Sequence, residues 1–440
     1  MKKVLAILLA LMLVGVMNAL SETTDGLGDI EDEARLICNA LVEGDYSTIT
    51  DRFNDSMSAV VDETLLQQSW EAVIAQYGAF TEVENLHVVD EATQSATLRL
   101  RHEQSTILFT VAFDDAGLIS GLNLRPDTVY ETTEKALPEG VTEVETILFE
   151  GTDHALNARI LYPDNAAEGT PYVILVQGSG ASDMDETIGP NKPFRDLAYD
   201  LAAQGVGSLR FDKITFAHPE LSIETVEQEY LEPVTEALRI LREQVNTSRV
   251  YVAGHSLGGI LTPWLVQSCG FDGGIVLSGT PLPLWQMSYD QNLLIIEGMP
   301  EDQRNDLLAQ IEAEAEKAQG LMEMSDEEAA STTVFGVSAV YQRSIAQLDE
   351  IAIAKETEKP YLFLWGESDF QVNAEAYQAW QDGLGDDPLY TYITYPGLNH
   401  LLMPSEESDS ILNVQSAYMR PASVSAQVST DILKWIEDNA

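Results

Sequence analysis

The chain has 440 residues and a formal net charge of −49, with 72 acidic side chains against 23 basic ones. That length accommodates two domains and a large core, and the acidity argues against a nucleic-acid partner, because an acidic surface repels phosphates. The two cysteines, Cys38 and Cys269, fall in different predicted domains; a single bridge is one reading, and two isolated buried thiols fit better. No cluster of histidine and cysteine has metal-ligand spacing, so neither a catalytic metal nor any other cofactor is expected.

In chain order, Lys2-Lys3, the apolar run 4–16 and Met17-Asn18-Ala19 match a secretory signal peptide over residues 1–19. Its apolar core is short for a membrane span. The expectation is an exported protein, secreted or held in the cell envelope, with no stable membrane span after cleavage behind Ala19. An uncleaved N-terminal anchor is the alternative reading. No cysteine near the end of the run invites a lipid anchor.

Helical signals follow at 34–41 and 63–77, and alternation of Ala96, Leu98 and Leu100 with Thr97, Arg99 and Arg101 predicts a strand. Further strands are predicted at 106–113 and 118–124, with Asp114-Asp115-Ala116-Gly117 as a hairpin turn. These elements define a small α+β domain over residues 29–125, followed by a linker at 126–143. Strands at 145–149 and 155–161 then open a larger domain, 144–440. There strands alternate with helices at 194–204 and 226–244, and 274–277 reads as a buried strand, the pattern of a parallel, doubly wound sheet. Residues 281–349 interrupt this alternation with acidic, helical sequence in which Leu307, Leu308, Ile311 and Ala315 recur at helical spacing. The segment reads as a cap over a site, with Leu284, Trp285, Met287 and Tyr289 as candidate acyl-pocket residues. A helical insertion whose apolar face is only core fits the same residues.

Within the larger domain, Gly254-His255-Ser256-Leu257-Gly258 is a G-x-S-x-G run between an apolar strand, 248–253, and an apolar helical stretch, 259–266. A serine on a sharp strand-to-helix turn needs residues with almost no side chain two positions before and after it. Ser256 is therefore the candidate nucleophile, the bland alternative being a plain glycine-rich turn. Such a serine needs a base. The histidines are His87, His102, His154, His218, His255 and His400. Only His400 follows the nucleophile at a distance, since His255 adjoins Ser256 and the elbow turns it away. His400 lies in the loop Pro396-Gly397-Leu398-Asn399 after a predicted strand, 389–395. A carboxylate that fixes the imidazole tautomer belongs at another strand end; Gly366-Glu367-Ser368-Asp369 follows the strand 360–365, giving Asp369 as first choice and Glu367 as reserve. The strand 171–176 ends in Gln177-Gly178-Ser179-Gly180, where small residues can turn backbone amides toward a substrate oxygen. The expected oxyanion donors are the amides of Leu257 and Ser179.

Several of these stretches resemble the α/β-hydrolase superfamily, in its bacterial esterase and serine-aminopeptidase-like branch: Gln177 to Gly180, Leu209-Arg210-Phe211-Asp212-Lys213, Gly254 to Gly259, Trp365 to Asp369 and Gly397 to His400. The resemblance covers residues 144–440 and implies an eight-stranded, mostly parallel sheet with helices on both faces and an ester-cleaving triad. More loosely, Asp183-Met184-Asp185-Glu186-Thr187-Ile188-Gly189-Pro190-Asn191-Lys192-Pro193-Phe194 is similar to a segment of exported two-domain esterases, and the small domain resembles one that precedes some envelope hydrolases. One departure stands out. In that branch the Leu-Arg-Phe-Asp-Lys stretch continues into an Arg-Gly pair, whereas here Ile214-Thr215-Phe216-Ala217-His218 follows Lys213, so the loop beside the site is expected to differ in shape.

The function expected is a serine carboxylesterase-like hydrolase that acts on a small-molecule or acylated substrate through an acyl-enzyme on Ser256. Peptidase or acyltransferase chemistry with the same triad, and a non-catalytic envelope binding protein, are the alternatives.

Overall fold

The computed structural model describes residues 27–439, apart from 55–56, 59–60, 91–93, 115, 128–134, 246, 248 and 298–300. The signal-peptide segment 1–19 lies outside the described residues. The chain divides into two compact units at residues 129 and 130.

The smaller unit holds the helices Leu27–Glu43 and Glu63–Tyr77 and the strands β1 (Phe80–Asp90), β2 (Ser95–His102), β3 (Thr106–Phe113) and β4 (Ile119–Pro126). The strands form one antiparallel sheet in sequence order. Leu98, Leu100, Phe109 and Val111 are buried with Ala34, Ile37, Leu41 and Trp70 from the helices. Asp114 builds the β3–β4 turn, its carboxylate accepting from the amides of Ala116 and Leu118, while Gly117 takes the left-handed φ of +74°. Strand β1 was not expected from the sequence. It is an edge strand that carries Glu82 and Glu84 and meets β2 with three register shifts, so no clean two-residue alternation marks it.

The larger unit is built on β5 (Val141–Leu148), β6 (Leu156–Pro163), β7 (Tyr172–Val176), β8 (Gly207–Phe211), β9 (Val250–His255) and β10 (Gly274–Leu277). After the short hairpin β11 (Thr333–Val334) and β12 (Val337–Ser338), β13 (Tyr361–Gly366) and β14 (Tyr390–Tyr395) complete it. The main sheet has eight strands in the order β14-β13-β10-β9-β7-β8-β6-β5. Only β6 runs against the rest, pairing antiparallel with both β5 and β8. Strand β5 begins at Val141, inside the stretch read as linker, because its exposed edge carries alternating polar residues that look like loop.

Alternation along the central strands divides the core between the two faces of the sheet. Ile174, Val252, Val276 and Phe363 face one side, with Val234 and Leu238 from the helix Glu232–Gln244, Leu265 from Thr262–Cys269 and Trp380 from Ala374–Leu384. Val173, Leu175, Tyr251, Ile275 and Leu364 face the other, with Leu197 from the helix Pro193–Ala203 and Ile432 and Trp435 from Ala426–Asp438. Helices on both faces of a mostly parallel sheet give the α/β-hydrolase fold that the sequence implied.

Two segments differ from their expected form. The helix read at 226–244 is a π-helical turn, Glu227–Leu231, followed by the α-helix Glu232–Gln244. Pro233 has no N–H to continue the regular ladder, and a π turn absorbs the break. The insertion 281–349 consists of the helices Leu284–Glu297, Glu301–Gln319, Asp326–Ala330 and Ala339–Ala346 plus the β11–β12 hairpin. Phe335 and Gly336 make its two-residue turn, both with positive φ.

Candidate active site

Ser256 stands where β9 turns into the short helix Leu257–Ile260, with φ +53° and ψ −115°. This is a costly conformation for a residue with a side chain. The neighbouring glycines have no room for one: a Cβ on Gly254 would lie 2.0 Å from the Gly258 carbonyl oxygen, and one on Gly258 would lie 2.5 Å from that of Val176. Packing thus forces the small residues at these positions. The Ser256 amide is held by the Leu277 carbonyl at 2.9 Å, tying the elbow to β10.

Strand order then decides what surrounds the elbow. Strands β9, β10, β13 and β14 are consecutive neighbours running the same way, so the loops leaving their carboxyl ends share one edge of the sheet. Asp369 leaves β13 and His400 leaves β14, and His400 Nδ1 lies 2.7 Å from Asp369 Oδ2 with both residues buried. The other Asp369 oxygen accepts from the amides of Gln371 and Val372 at 2.8 and 2.9 Å, which fixes the carboxylate plane. The reserve candidate, Glu367, is exposed and takes a hydrogen bond from Thr394 instead. Among the described residues no hydrogen bond joins Ser256 Oγ to His400; in unliganded enzymes such a contact is often long and tightens with substrate.

The amide of Leu257, first in its helix, has no carbonyl partner within that helix. Ser179 is exposed at the end of the segment that leaves β7, and its amide makes no backbone hydrogen bond among the described residues. The preceding amide, Gly178, is occupied by Glu186 Oε1 at 2.8 Å. A Cβ on Gly178 would meet the Ser256 Cβ at 3.0 Å, so this turn lies directly against the nucleophile candidate.

Sequence reasoning missed the groups that hold this turn in place. Lys213, buried at the end of β8, donates through Nζ to the carbonyls of Gly178 and Gly180 at 2.7 and 3.0 Å and pairs with Glu229 at 2.9 Å. Tyr230 Oη adds a bond to the Gly178 carbonyl. The π turn brings Glu229 and Tyr230, consecutive in sequence, to the same lysine. Burial pulls the Lys213 pKa below the ordinary lysine value, against the pull of Glu229 and Glu186. From the sequence, His255 has no role beyond adjoining Ser256. It is buried between Glu186, 2.9 Å from Nδ1, and the backbone carbonyl of His400, 2.9 Å from Nε2. Burial opposes its charged form, yet Glu186, the His400 carbonyl and Asp369 together raise its pKa above the ordinary imidazole value.

The two sequence segments carried by resemblance prove to be one structure. Arg210 is fully buried and pairs with Asp185 at 2.8 Å and Glu143 at 2.7 Å. Asp212 accepts from the Met184 amide, and the Lys213 amide donates to the Ser182 carbonyl. The Leu209-to-Lys213 stretch therefore shapes the loop that delivers Glu186. After Lys213, where the Arg-Gly pair is missing, Ile214–Ala217 forms a short helix and His218 Nε2 lies 2.9 Å from the Ala155 carbonyl oxygen.

Of the acyl-pocket candidates, Met287 is buried in the core and Leu284 packs against it, while Trp285 and Tyr289 are half-buried. The helix that bears them is tied to the acid loop by Gln291 Nε2, which donates to the Gln371 carbonyl at 3.0 Å. A cavity of about 410 Å³ lies elsewhere, beside the π turn, lined by residues including Val226, Trp264, Val340 and Arg343, and touches none of the triad candidates. Among the described residues no three His, Cys, Asp or Glu side chains gather as a metal site, and no helix is long and apolar enough to cross a membrane. Both cysteines are free; Cys38 is buried, which pushes its thiol pKa up to about 12, and Cys269 is only half-buried.

Comparison with known proteins bears on both units. Residues 34–122 match a family described only as a protein of unknown function, DUF3887. The chain is 29% identical over 415 residues to Esterase EstD of Thermotoga maritima, a match that covers 93% of this chain and 96% of that one. Among solved structures, Est1E from Butyrivibrio proteoclasticus is similar at 18% identity and a TM-score of 0.42, over 67% of this chain and 99% of that one. A proline iminopeptidase of Mycobacterium smegmatis is similar at 13% identity and a TM-score of 0.41, over 68% of this chain and all of that one. The alpha/beta hydrolase family model matches residues 173–411, more than half of the sequence and every candidate site residue, and the chain belongs to that family.

Proposed function

We propose that this protein is a serine carboxylesterase-like hydrolase that cleaves carboxylic esters through an acyl-enzyme on Ser256. The observation that carries the reading is the 2.7 Å bond between His400 and Asp369, delivered by adjacent strand ends to the sheet edge that bears the strained Ser256 elbow. With Nδ1 engaged by Asp369, His400 has Nε2 free to take the Ser256 hydroxyl proton as Oγ attacks the ester carbonyl. The Leu257 and Ser179 amides receive the developing oxyanion. As the bond to the leaving oxygen breaks, His400 returns the proton to the departing alkoxide. Water, deprotonated by His400, then attacks the acyl carbon, and Ser256 leaves with its proton restored. No metal or other cofactor enters this sequence of steps.

The name of the relative that covers nearly the whole chain, an esterase, supports esters as the substrate class. Export by residues 1–19, to the cell envelope or beyond, belongs to the same proposal, with a small-molecule or acylated partner and no nucleic acid. The small unit is assigned binding or positioning, since no cluster of catalytic groups occurs among its described residues.

The test is turnover of a series of acyl esters by the purified protein and by Ser256→Ala and His400→Gln. The reading predicts ester turnover by the parent and a loss of about 10⁴-fold or more in each variant. Parent-like turnover in either one would overturn the assignment of that residue.

A further inference from the structure

His255 touches both the loop that carries the proposed base and the carboxylate that holds the Gly178 amide, and its two bonds impose a count of protons. Nδ1 is 2.9 Å from Glu186 Oε1, and Nε2 is 2.9 Å from the His400 carbonyl oxygen. A carbonyl oxygen only accepts, and so does a carboxylate. A neutral imidazole has one N–H and can satisfy one of them; an imidazolium has two and satisfies both. The same Glu186 oxygen also accepts from the Gly178 amide at 2.8 Å, as a carboxylate oxygen with several lone-pair sites can. Both side chains are at least nine-tenths buried, with His255 at 6% and Glu186 at 5% exposure. A lone charge there would be costly, whereas an imidazolium and a carboxylate in contact neutralise each other.

The backbone around Glu186 supports a specific demand at this position. Glu186 has φ +52°, a left-handed conformation in a residue with a long side chain. The surrounding loop enforces it: Asp183 accepts from the amides of Asp185 and Thr187, and Asp185 is clamped by Arg210 and Lys192. Among the described residues the charged groups that act on the His255 ring are Glu186 and Asp369. His400 lies with its ring centroid 4.8 Å away and Asp369 stands behind it, while Phe194, Leu197, Leu277, Leu401 and Val424 close the apolar sides. Lys213 lies within electrostatic reach of Glu186.

We infer that Glu186 and His255 form a buried carboxylate–imidazolium pair whose role is to position the catalytic groups, fixing the His400 backbone through one ring nitrogen and the Gly178 amide through the shared carboxylate. This rests on the reading of Ser256, His400 and the Ser179 amide as the working site. The pair links three pieces that must keep register for ester cleavage: the base loop, the residue next to the nucleophile, and the turn that presents the oxyanion donor. Its neutrality matters as well. When His400 takes the serine proton it becomes positive, and a neutral neighbour does not oppose that step. Loss of the His255 proton at alkaline pH breaks one of the two links and leaves a net negative pair.

The experiment uses the full chain labelled with nitrogen-15 at histidine. Side-chain nitrogen spectra are recorded at pH 8, and the His255 signals are identified by their loss in His255→Asn. The expected result is a histidine with both ring nitrogens protonated; a neutral His255 at that pH overturns the inference, and the protonation state is read on the parent protein. In parallel, Glu186→Gln is predicted to lower kcat for ester hydrolysis about 10- to 100-fold with KM within about 3-fold, as expected of small misplacements of reacting groups. The alkaline fall of kcat set by the His255 proton should disappear from its pH profile. A variant that matches the parent in kcat across pH 6 to 10 also overturns the inference. Mapping an organophosphonate adduct on the parent separates the two claims. An adduct on Ser256 with parent-like kinetics in Glu186→Gln sinks only the positioning role, whereas a parent with no adduct on Ser256 sinks the site reading beneath it.

Discussion

The two units differ most in what they bury besides hydrocarbon. Among the described residues of the small unit the buried polar side chains are Ser95 and His102, and His102 is packed edge-on against Trp70 and Phe80. The larger unit buries Asp185, Glu186, Arg210, Lys213, Glu229, His255, Asp369 and His400, mostly at the end of β9 or in the loops that follow β7, β8, β13 and β14. Burying charge is expensive unless each group is paired, and these groups are paired with one another or with backbone atoms of the site. The difference teaches that the larger unit spends stability on holding the proposed reaction centre, while the small unit is an ordinary apolar core between helices and a sheet.

That contrast can be broken in stages. The largest effect is expected from Ser256→Ala, which should abolish ester turnover while leaving the thermal midpoint within a few degrees, since Ser256 Oγ carries no hydrogen bond among the described residues. Next is Lys213→Met. It removes the charged donor shared by the carbonyls of Gly178 and Gly180, leaving Tyr230 on Gly178, so kcat should fall about 10- to 100-fold, below the cost of removing an oxyanion donor outright. It also strands buried Glu229, at a cost of about 3–5 kcal/mol. Adding Glu229→Gln should restore much of the stability and little of the rate, a split that steady-state kinetics and chemical denaturation would show. If both recover together, Lys213 is only a structural charge.

In the small unit, Phe109→Ala removes a ring that is 1% exposed. It should cost that unit about 3–5 kcal/mol in denaturant melts while kcat for small esters stays at the parent value; a parallel loss of kcat would contradict the division of labour.

The smallest effect concerns Glu350, whose carboxyl burial raises its pKa to about 8, with the Trp264 amide opposing and Asp349 adding to the shift. A carboxyl raised in this way binds its proton more tightly folded than unfolded, so its ionisation lowers stability progressively from about pH 4.5 to about 8. Glu350→Gln should therefore leave stability near that of the parent at pH 4 and exceed it at pH 8. Equal stability at both values would show that Glu350 ionises without penalty.

Local signals made the proposed nucleophile, acid and base legible in the sequence, each for a separate reason. Gly254 and Gly258 are forced by carbonyl oxygens closer than a Cβ allows, so the elbow leaves a pattern of small residues. Continuous apolar runs mark β7, β9 and β13, and each is followed within three residues by a candidate residue. The Glu186–His255 and Lys213–Glu229 pairs left no comparable mark. Their partners lie far apart in sequence or depend on a π turn that regular helical spacing hides, and nothing near His255 foretells Glu186, 69 positions earlier. The edge strand β1 was hidden for the opposite reason, since its charges and register shifts erase the alternation that would have announced it.

The central claim is that Ser256 attacks the substrate, and the most direct test is to locate the bond it forms. Treatment with an organophosphonate followed by intact-mass measurement and peptide mapping should give one adduct, on Ser256, that is absent from Ser256→Ala. An adduct on another residue, or undiminished modification of the variant, would contradict it.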